Sequence, residues 1–313
     1  MAKDAVLVIG SLNYDFILRT SHLPQKGETL TADSFEICPG GKGGNQAVQC
    51  AKLGLPAYMA AAIGDDFMGE YLYAALKEYG VEVSRVRKEP GTSTGFAMAC
   101  AAGEGNLFAT IVKGTNDCFA LKDIDALDDL FEKAAIVILQ LEIPIFIVEY
   151  CITKAKTKGC IVILNTAPAK EIARTSLASC DYLIMNEIEA QFYCGISSIT
   201  AVNSGEYAQR LAAEFNITII ITLGKDGAVV SSGGTPFKHF PAFNIPALET
   251  TGAGDSFIGG LAYGIIKKLA LEKTLEFASC CSAVTIQKPG GQPSMPTLDQ
   301  VLPLLQQYNH DTL

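Results

Sequence analysis

The chain has 313 residues, of which 49% are apolar and 18% charged, and 24 Lys and Arg stand against 33 Asp and Glu for a formal charge of −9. That length excludes a peptide-sized or disulfide-stapled scaffold and suits two domains or one large α/β domain, while the apolar share excludes disorder. An acidic chain without a basic run cannot neutralise the phosphates of a nucleic acid polymer, although backbone N–H groups can still hold a small anionic cofactor.

Val6-Leu-Val-Ile9 reads as the first strand, and the glycine-rich run Gly40 to Asn45 leads into a helix expected over Gln46 to Leu53, stopped by Gly54. After the Gly64-Asp65-Asp66 turn, Phe67, Tyr71, Leu72, Ala75, Leu76 and Tyr79 recur at helical spacing, with Gly80 at the stop. Gly95 to Ala102 and Leu107 to Val112, joined by Gly103-Glu-Gly-Asn106, predict a β-hairpin whose second strand is apolar on both faces. Left bare, such a hairpin aggregates, so one face is expected to close over a crevice and the other to pack on a second copy of the chain. Phe35 and Ile37 alternate suitably to join it. This gives a discontinuous β lid over 14–38 and 95–112, which also dimerises, and a main domain of 1–13, 39–94 and 113–313. The alternative is an edge hairpin covered by a helix.

Strands follow at Ile136 to Leu139, Ile161 to Leu164, Leu183 to Met185 and Ile217 to Ile221, with helical patterns between most of them. Thr250 to Asp255 then precedes a helix over Ser256 to Lys268, striped by Phe257, Ile258, Leu261, Ala262 and Ile265. The alternation predicts an α/β fold, a three-layer αβα sandwich around a mainly parallel, doubly wound sheet, with the small β lid beside it. Five apolar runs end in polar residues: Asn13 and Asp15, Glu142, Asn165, Asn186 and Thr222. Ligands of open α/β sheets bind beyond the carboxyl ends of the strands, so these residues are expected to line one crevice.

Cysteines such as Cys100, Cys151, Cys160, Cys180 and Cys194 lie singly in apolar stretches, where a thiol acts as a small hydrophobe. No CxxC occurs, and His22, His239 and His310 cannot assemble a zinc site. No leader pattern precedes Ser11, and no apolar run reaches the roughly 18 residues of a membrane span. The expectation is a cytoplasmic protein with no membrane partner.

Two glycine clusters open helices. Gly252 and Gly254 let the backbone approach a ligand and turn N–H groups toward it at a helix start, an arrangement suited to a phosphoryl group. A bound phosphate would repel Asp255, so that residue is there either to cap the helix or to act as a base. In Gly40-Gly-Lys-Gly-Gly-Asn45, Lys42 is followed by Gly43, so this is no Walker A loop, and neither cluster is a dinucleotide-binding G-x-G-x-x-G. Bare backbone with one cation and one amide suits the hydroxyls of a small polar ligand.

Asn13-x-Asp15, Gly40-Gly-Lys-Gly-Gly-Asn45-Gln46-Ala47, Leu141-Glu142, Asn165-Thr-Ala-Pro168, Asn186-Glu-Ile-Glu189, Thr222-Leu-Gly224 and Thr251-Gly-Ala-Gly-Asp255 together resemble the ribokinase-like carbohydrate kinase superfamily, from about Ala5 to Ser294. The Gly-Ala-Gly-Asp and Asn-x-x-Glu elements mark the superfamily; the Gly40 to Asn45 loop with Gln140-Leu-Glu142 is closer to its ribose kinases.

The resemblance implies ATP-dependent phosphorylation of the 5-hydroxyl of D-ribose, with Asp255 as base and the amides of Gly252, Ala253 and Gly254 as anion hole. It implies sugar contacts from Asn13, Asp15, Gly41, Lys42, Asn45 and Glu142, and an ATP site lined by Asn186, Thr222, Gly224, Gly227 and Ser279. Glu189 would hold Mg²⁺ through waters. A K⁺ site would comprise Glu249, Thr251, Thr285, Lys288, Gly290 and Ser294, mostly through carbonyl oxygens. Glu249 stands where the superfamily usually has aspartate, and its extra methylene shifts the ligand oxygen by about 1.5 Å, which leaves K⁺ activation open. Met185 before Asn186 and Pro289 in the cation loop are further departures, both expected to be tolerated. Two alternatives stand beside this reading. One is a kinase of the same fold for another small alcohol: a nucleoside, a keto-sugar acid or another pentose. The other is a sugar-binding regulator without turnover, for which an intact Asp255 beside an anion hole has no use.

Overall fold

The computed structural model describes residues 3–102 and 106–311. Thirteen strands are seen among them: β1 Ala5–Ile9, β2 Asn13–Thr20, β3 Ser34–Gly40, β4 Ala57–Gly64, β5 Glu82–Glu89, β6 Phe96–Ala102, β7 Asn106–Val112, β8 Ala134–Gln140, β9 Ile161–Asn165, β10 Tyr182–Met185, β11 Thr218–Thr222, β12 Ala228–Ser232 and β13 Lys238–Phe240. Nine form one sheet in the order β13-β12-β11-β10-β9-β8-β1-β4-β5, parallel from β11 to β5, with β12 and β13 antiparallel.

Alternation along β1 shows why helices cover both faces. Leu7 and Ile9 enter one core with Ile147, Val148, Ile152 and Leu211, while Val6 and Val8 enter the other with Val48, Leu72, Phe257, Ile258 and Leu275. Side chains of period two on a strand apolar throughout require two covering layers, which is the expected three-layer sandwich. The five strands predicted in the main sheet are five neighbours in it, β1 and β8 to β11. β4 and β5 were not predicted. The run Ala57–Gly64 is too rich in alanine to stand out, and Glu82–Glu89 is an edge strand carrying charges.

Both glycine-led helices begin earlier than their periodicity predicts, at Lys42 and Ala253 instead of Gln46 and Ser256. Their first turns are built of glycine and polar residues with one alanine, so they carry no apolar stripe. The cysteines are unpaired among the described residues, and no described helix is long and apolar enough to cross a membrane.

The second sheet has the order β3-β2-β6-β7. Its hairpin pairs Phe96 with Val112 through Ala102 with Asn106, and most of the predicted turn, residues 103–105, lies outside the described residues. Register gives the sheet two unlike faces. Asp15, Cys38, Ala97 and Ile111 share one; Phe16, Ile37, Met98 and Thr110 share the other, in a row beside Leu18, Phe35, Cys100 and Phe108. On this second face Phe35, Ile37, Met98 and Phe108 are exposed, so no described helix covers that part of it. Tyr14 anchors the sheet to the Phe67–Glu78 helix through ring contacts with Phe67 at 5.7 Å and Tyr71 at 5.2 Å.

Candidate active site

The sheet order reverses at β1, whose neighbours β4 and β8 lead in opposite directions, so a crevice opens beyond its carboxyl end. There the Lys42–Lys52 helix starts against the exit of β1. A Cβ on Gly43 would lie 2.8 Å from the Gly10 carbonyl carbon, and one on Gly41, at φ 84°, would lie 2.8 Å from the Leu12 Cα. Only glycine permits that approach. The amides of this helix start are committed. Lys42 N–H donates to Glu142 Oε2 at 3.1 Å, Gly44 N–H to the Ser11 carbonyl at 3.0 Å and Asn45 N–H to the Gly41 carbonyl at 2.9 Å, while Ser11 Oγ donates to Glu142. The first glycine cluster therefore docks Glu142 and is closed to an anion.

The second cluster is open. Gly252, at φ 80°, is the N-cap of the Ala253–Ile266 helix and makes no side-chain cap. Asp255, only 8% exposed, does not cap it either: its carboxylate turns toward the first helix and accepts Asn45 Nδ2 at 2.9 Å and Gln46 Nε2 at 2.8 Å. Each oxygen keeps a lone pair for a further donor. Of the three amides proposed for an anion, that of Ala253 donates to the Thr250 carbonyl at 3.2 Å. Those of Gly252 and Gly254 have no backbone partner among the described residues. Gly254 is exposed, and a Cβ there would meet nothing within 4 Å. Two amides thus stay unspent at the positive end of the helix.

Lys42 sits in the field of Asp255, Glu142, Glu189 and Asp15. Burial pulls its ammonium down, and the four carboxylates more than offset this, so it is held more firmly protonated than a free lysine. Burial raises Asp255, opposed by Lys42, Asn45 and Gln46. Burial also raises Asp15, aided by Glu142 and opposed by Lys42, up to about 7. Asn13, also buried, accepts Asn116 Nδ2 at 2.8 Å. Asp15 Oδ1 and Asn45 Oδ1 are buried without a hydrogen-bond partner among the described residues. Two orphaned acceptors beside a lysine leave places for incoming hydroxyl donors.

Further along the rim, strand register sets Asn186 beside Thr222, whose hydroxyl donates to the Met185 carbonyl at 3.4 Å. Gly224 and Gly227, both at positive φ, form the tight turn into β12, with Leu223 N–H on the Gly227 carbonyl at 2.7 Å. Ser279 is half-buried on the Leu271–Thr285 helix that packs on the Asp255 helix. Glu189 and Asn186 form a reciprocal capping box, Glu189 Oε2 accepting Asn186 N–H at 2.8 Å. Oε1 has no partner among the described residues. Burial raises this carboxyl, countered by the Asn186 amide and Lys42. No group of three His, Cys, Asp or Glu side chains that could hold a metal ion occurs among the described residues. One buried carboxylate with one committed oxygen fits a hydrated Mg²⁺ carried by phosphates, and not a protein cage.

At the positions named for K⁺, the one carboxylate already has a cation beside it. Glu249 Oε2 lies 3.8 Å from the Arg19 guanidinium, so it already faces a positive charge. The Thr285 carbonyl accepts Lys288 N–H at 3.2 Å, and the hydroxyls of Thr285 and Ser294 are spent on Ser256, Cys281 and Gly291.

Sequence reasoning missed Ser11, Gln46, Gln49 and Gln140 as parts of the site. Gln46 is the hub: it accepts Gln140 Nε2 at 2.7 Å and donates to Asn165 at 3.3 Å and to Asp255. The available signal was helical. Lys42, Asn45, Gln46, Gln49 and Lys52 recur three and four apart on a largely buried helix, a polar face that burial requires to be partnered.

The model of the pfkB family of carbohydrate kinases matches residues 3–298. A ribokinase of Schizosaccharomyces pombe is 36% identical, covering 95% of this chain and 96% of that protein. A deoxyribokinase of Salmonella typhimurium is 33% identical over 94% and 96%. Among solved structures, the Arabidopsis thaliana ribokinase complexed with ribose and ATP superposes with a TM-score of 0.90 at 29% identity, covering 97% and 99% of the two chains.

Proposed function

Because this chain belongs to the pfkB family of carbohydrate kinases, and is thus a phosphotransferase with an alcohol acceptor, we propose that it phosphorylates the 5-hydroxyl of D-ribose from ATP to give ribose 5-phosphate. The observation that carries the reading is Asp255: buried, held by Asn45 and Gln46, and one residue from an amide without a backbone partner among the described residues.

Asp255 accepts the proton of the sugar hydroxyl on a free lone pair. The transition state is loose and the base acts late, so a carboxylate of modest basicity suffices, and most of the acceleration comes from position and charge. The Gly252 and Gly254 amides, with a helix end worth roughly half a positive charge, stabilise the equatorial oxygens. The orphaned oxygens of Asp15 and Asn45 accept sugar hydroxyls, Lys42 donates to them, and Asn13 and Glu142 complete the set. Asn186, Thr222, Gly224, Gly227 and Ser279 line the nucleotide side. Mg²⁺, when bound near Glu189, neutralises phosphate charge. K⁺ has a secondary place, since Arg19 already compensates Glu249. Over the site, the small sheet closes with its Asp15 and Ala97 face, and its Phe35, Met98 and Phe108 face joins a second copy of the chain.

A deoxyribokinase relative of nearly the same likeness keeps 2-deoxyribose as the second reading. A coupled assay with ATP across ribose, 2-deoxyribose, fructose, 2-keto-3-deoxygluconate and adenosine decides the matter. The highest kcat/KM is expected for ribose; a preference for adenosine, or ribose binding without turnover, refutes the proposal.

A further inference from the structure

The Lys42–Lys52 helix carries a second cation at its far end, outside the crevice. The Lys52 ammonium enters the turn before the Leu298–Asp311 helix and donates to the carbonyls of Gln292 at 2.8 Å, Met295 at 2.9 Å and Pro293 at 3.4 Å. Its nitrogen also lies 4.5 Å from the centroid of the Tyr79 ring. Among the described residues no carboxylate lies within ion-pair distance of it. Three carbonyl oxygens and an aromatic face are the surroundings of a bound monovalent cation, here supplied by a side chain. Burial, and then the Lys288 charge, pull this ammonium down to about 8, a cost that an idle surface lysine avoids by turning into water.

The turn it grips backs onto the reacting amides. A Cβ on Gly252 would lie 3.4 Å from both the Gly291 Cα and the Met295 Cε, and one on Gly291 would lie 3.7 Å from the Asn45 amide. Gln49, one helical turn before Lys52, strengthens the connection: its Nε2 donates to the Pro296 carbonyl at 3.0 Å and its Oε1 accepts Ser256 Oγ at 2.8 Å. The Gln292 side chain is buried with neither polar atom partnered among the described residues, so this residue is held through its backbone.

We propose that Lys52 is a positioning residue for phosphoryl transfer, its ammonium acting as a tethered monovalent cation that holds the 291–295 turn against Gly252 and thereby sets the amides that face the transferred group. The proposal rests on the kinase reading above. It assigns to a lysine remote from sugar and nucleotide an effect on kcat, with little on the KM of either.

The test compares wild type, Lys52→Met and Lys52→Ala by steady-state kinetics and by amide hydrogen exchange of residues 291–295. In Lys52→Met, kcat is expected to fall on the order of 10- to 100-fold at nearly unchanged sugar KM, the scale of a small misplacement of reacting groups, with faster exchange in the turn. Propylammonium added to Lys52→Ala is expected to restore both, and tetramethylammonium, which has no N–H, to restore neither. If Lys52→Met does not fold, Lys52→Gln replaces it. A folded variant with wild-type kcat and exchange, or one that tetramethylammonium rescues equally well, overturns the proposal. Exchange is read without substrate, so the two readings fail separately. A wild type that does not turn over ribose refutes the ribose reading, whereas normal turnover with unchanged exchange refutes the role of Lys52.

Discussion

Replacing Asp15 by asparagine should make the protein more stable and a poorer enzyme, and the size of the first effect follows from the site. Burial raises the Asp15 carboxyl from 3.8 to about 7, with Glu142 adding to the effect and Lys42 opposing it. A carboxyl whose folded pKa lies above its unfolded value binds more protons when folded. Its favourable contribution is therefore full below 3.8 and is lost as pH rises to about 7. A shift of that size corresponds to about 4 kcal/mol, a ceiling because the carboxyl is coupled to the charges of Glu142, Lys42 and Asp255. Asparagine has nothing to ionise. The stability difference between Asp15→Asn and wild type, measured by urea unfolding, should grow as pH climbs through this window and level off above about 7. Over the same range the variant should lose sugar affinity, because asparagine puts an NH2 donor in place of one of the two carboxylate acceptors and carries no charge. A stability difference that does not change with pH would refute the account of Asp15 as a carboxylate ionised at the expense of the fold.

Removing the base in Asp255→Ala should lower kcat by about 10²- to 10⁴-fold while calorimetry finds sugar binding largely retained; a variant of wild-type kcat removes Asp255 from the chemistry. Because burial raises Asp255 and the base must be ionised, wild-type kcat should fall as pH drops through a value above the ordinary aspartate range, and a kcat flat down to that range contradicts the assignment. Phe108→Asp places a charge on the exposed apolar face of the small sheet and should convert a sedimenting dimer to monomer; a monomeric wild type rejects the interface. Arg19→Met frees Glu249 from its guanidinium partner, so the activity of the variant should respond more strongly to K⁺ than that of wild type. An equal response means that the pair does not compete with the ion.

Where the chain spoke locally, the sequence was legible. The β-branched runs of β8, β9, β10 and β11 and the polar residues that end them were read in place, because a strand buried on both faces must be apolar throughout and a crevice residue must follow it. β4 and β5 were not, since alanines and charges become strand only beside a partner. The two glycine clusters look alike in sequence, yet one has its amides filled by Ser11 and Glu142 and the other leaves those of Gly252 and Gly254 free. No local pattern distinguishes them, because the filling oxygens come from elsewhere in the chain.

Alternation, glycine spacing and residue chemistry therefore determined the layered α/β architecture and the parts from which a sugar kinase is made. Tertiary packing decided what those parts do: it turned Asp255 away from capping and onto Asn45 and Gln46, paired Glu249 with Arg19, and buried Lys52 among carbonyls. Periodicity is a property of neighbours along the chain, whereas the partner of a buried polar group is chosen by residues that folding brings from a distance.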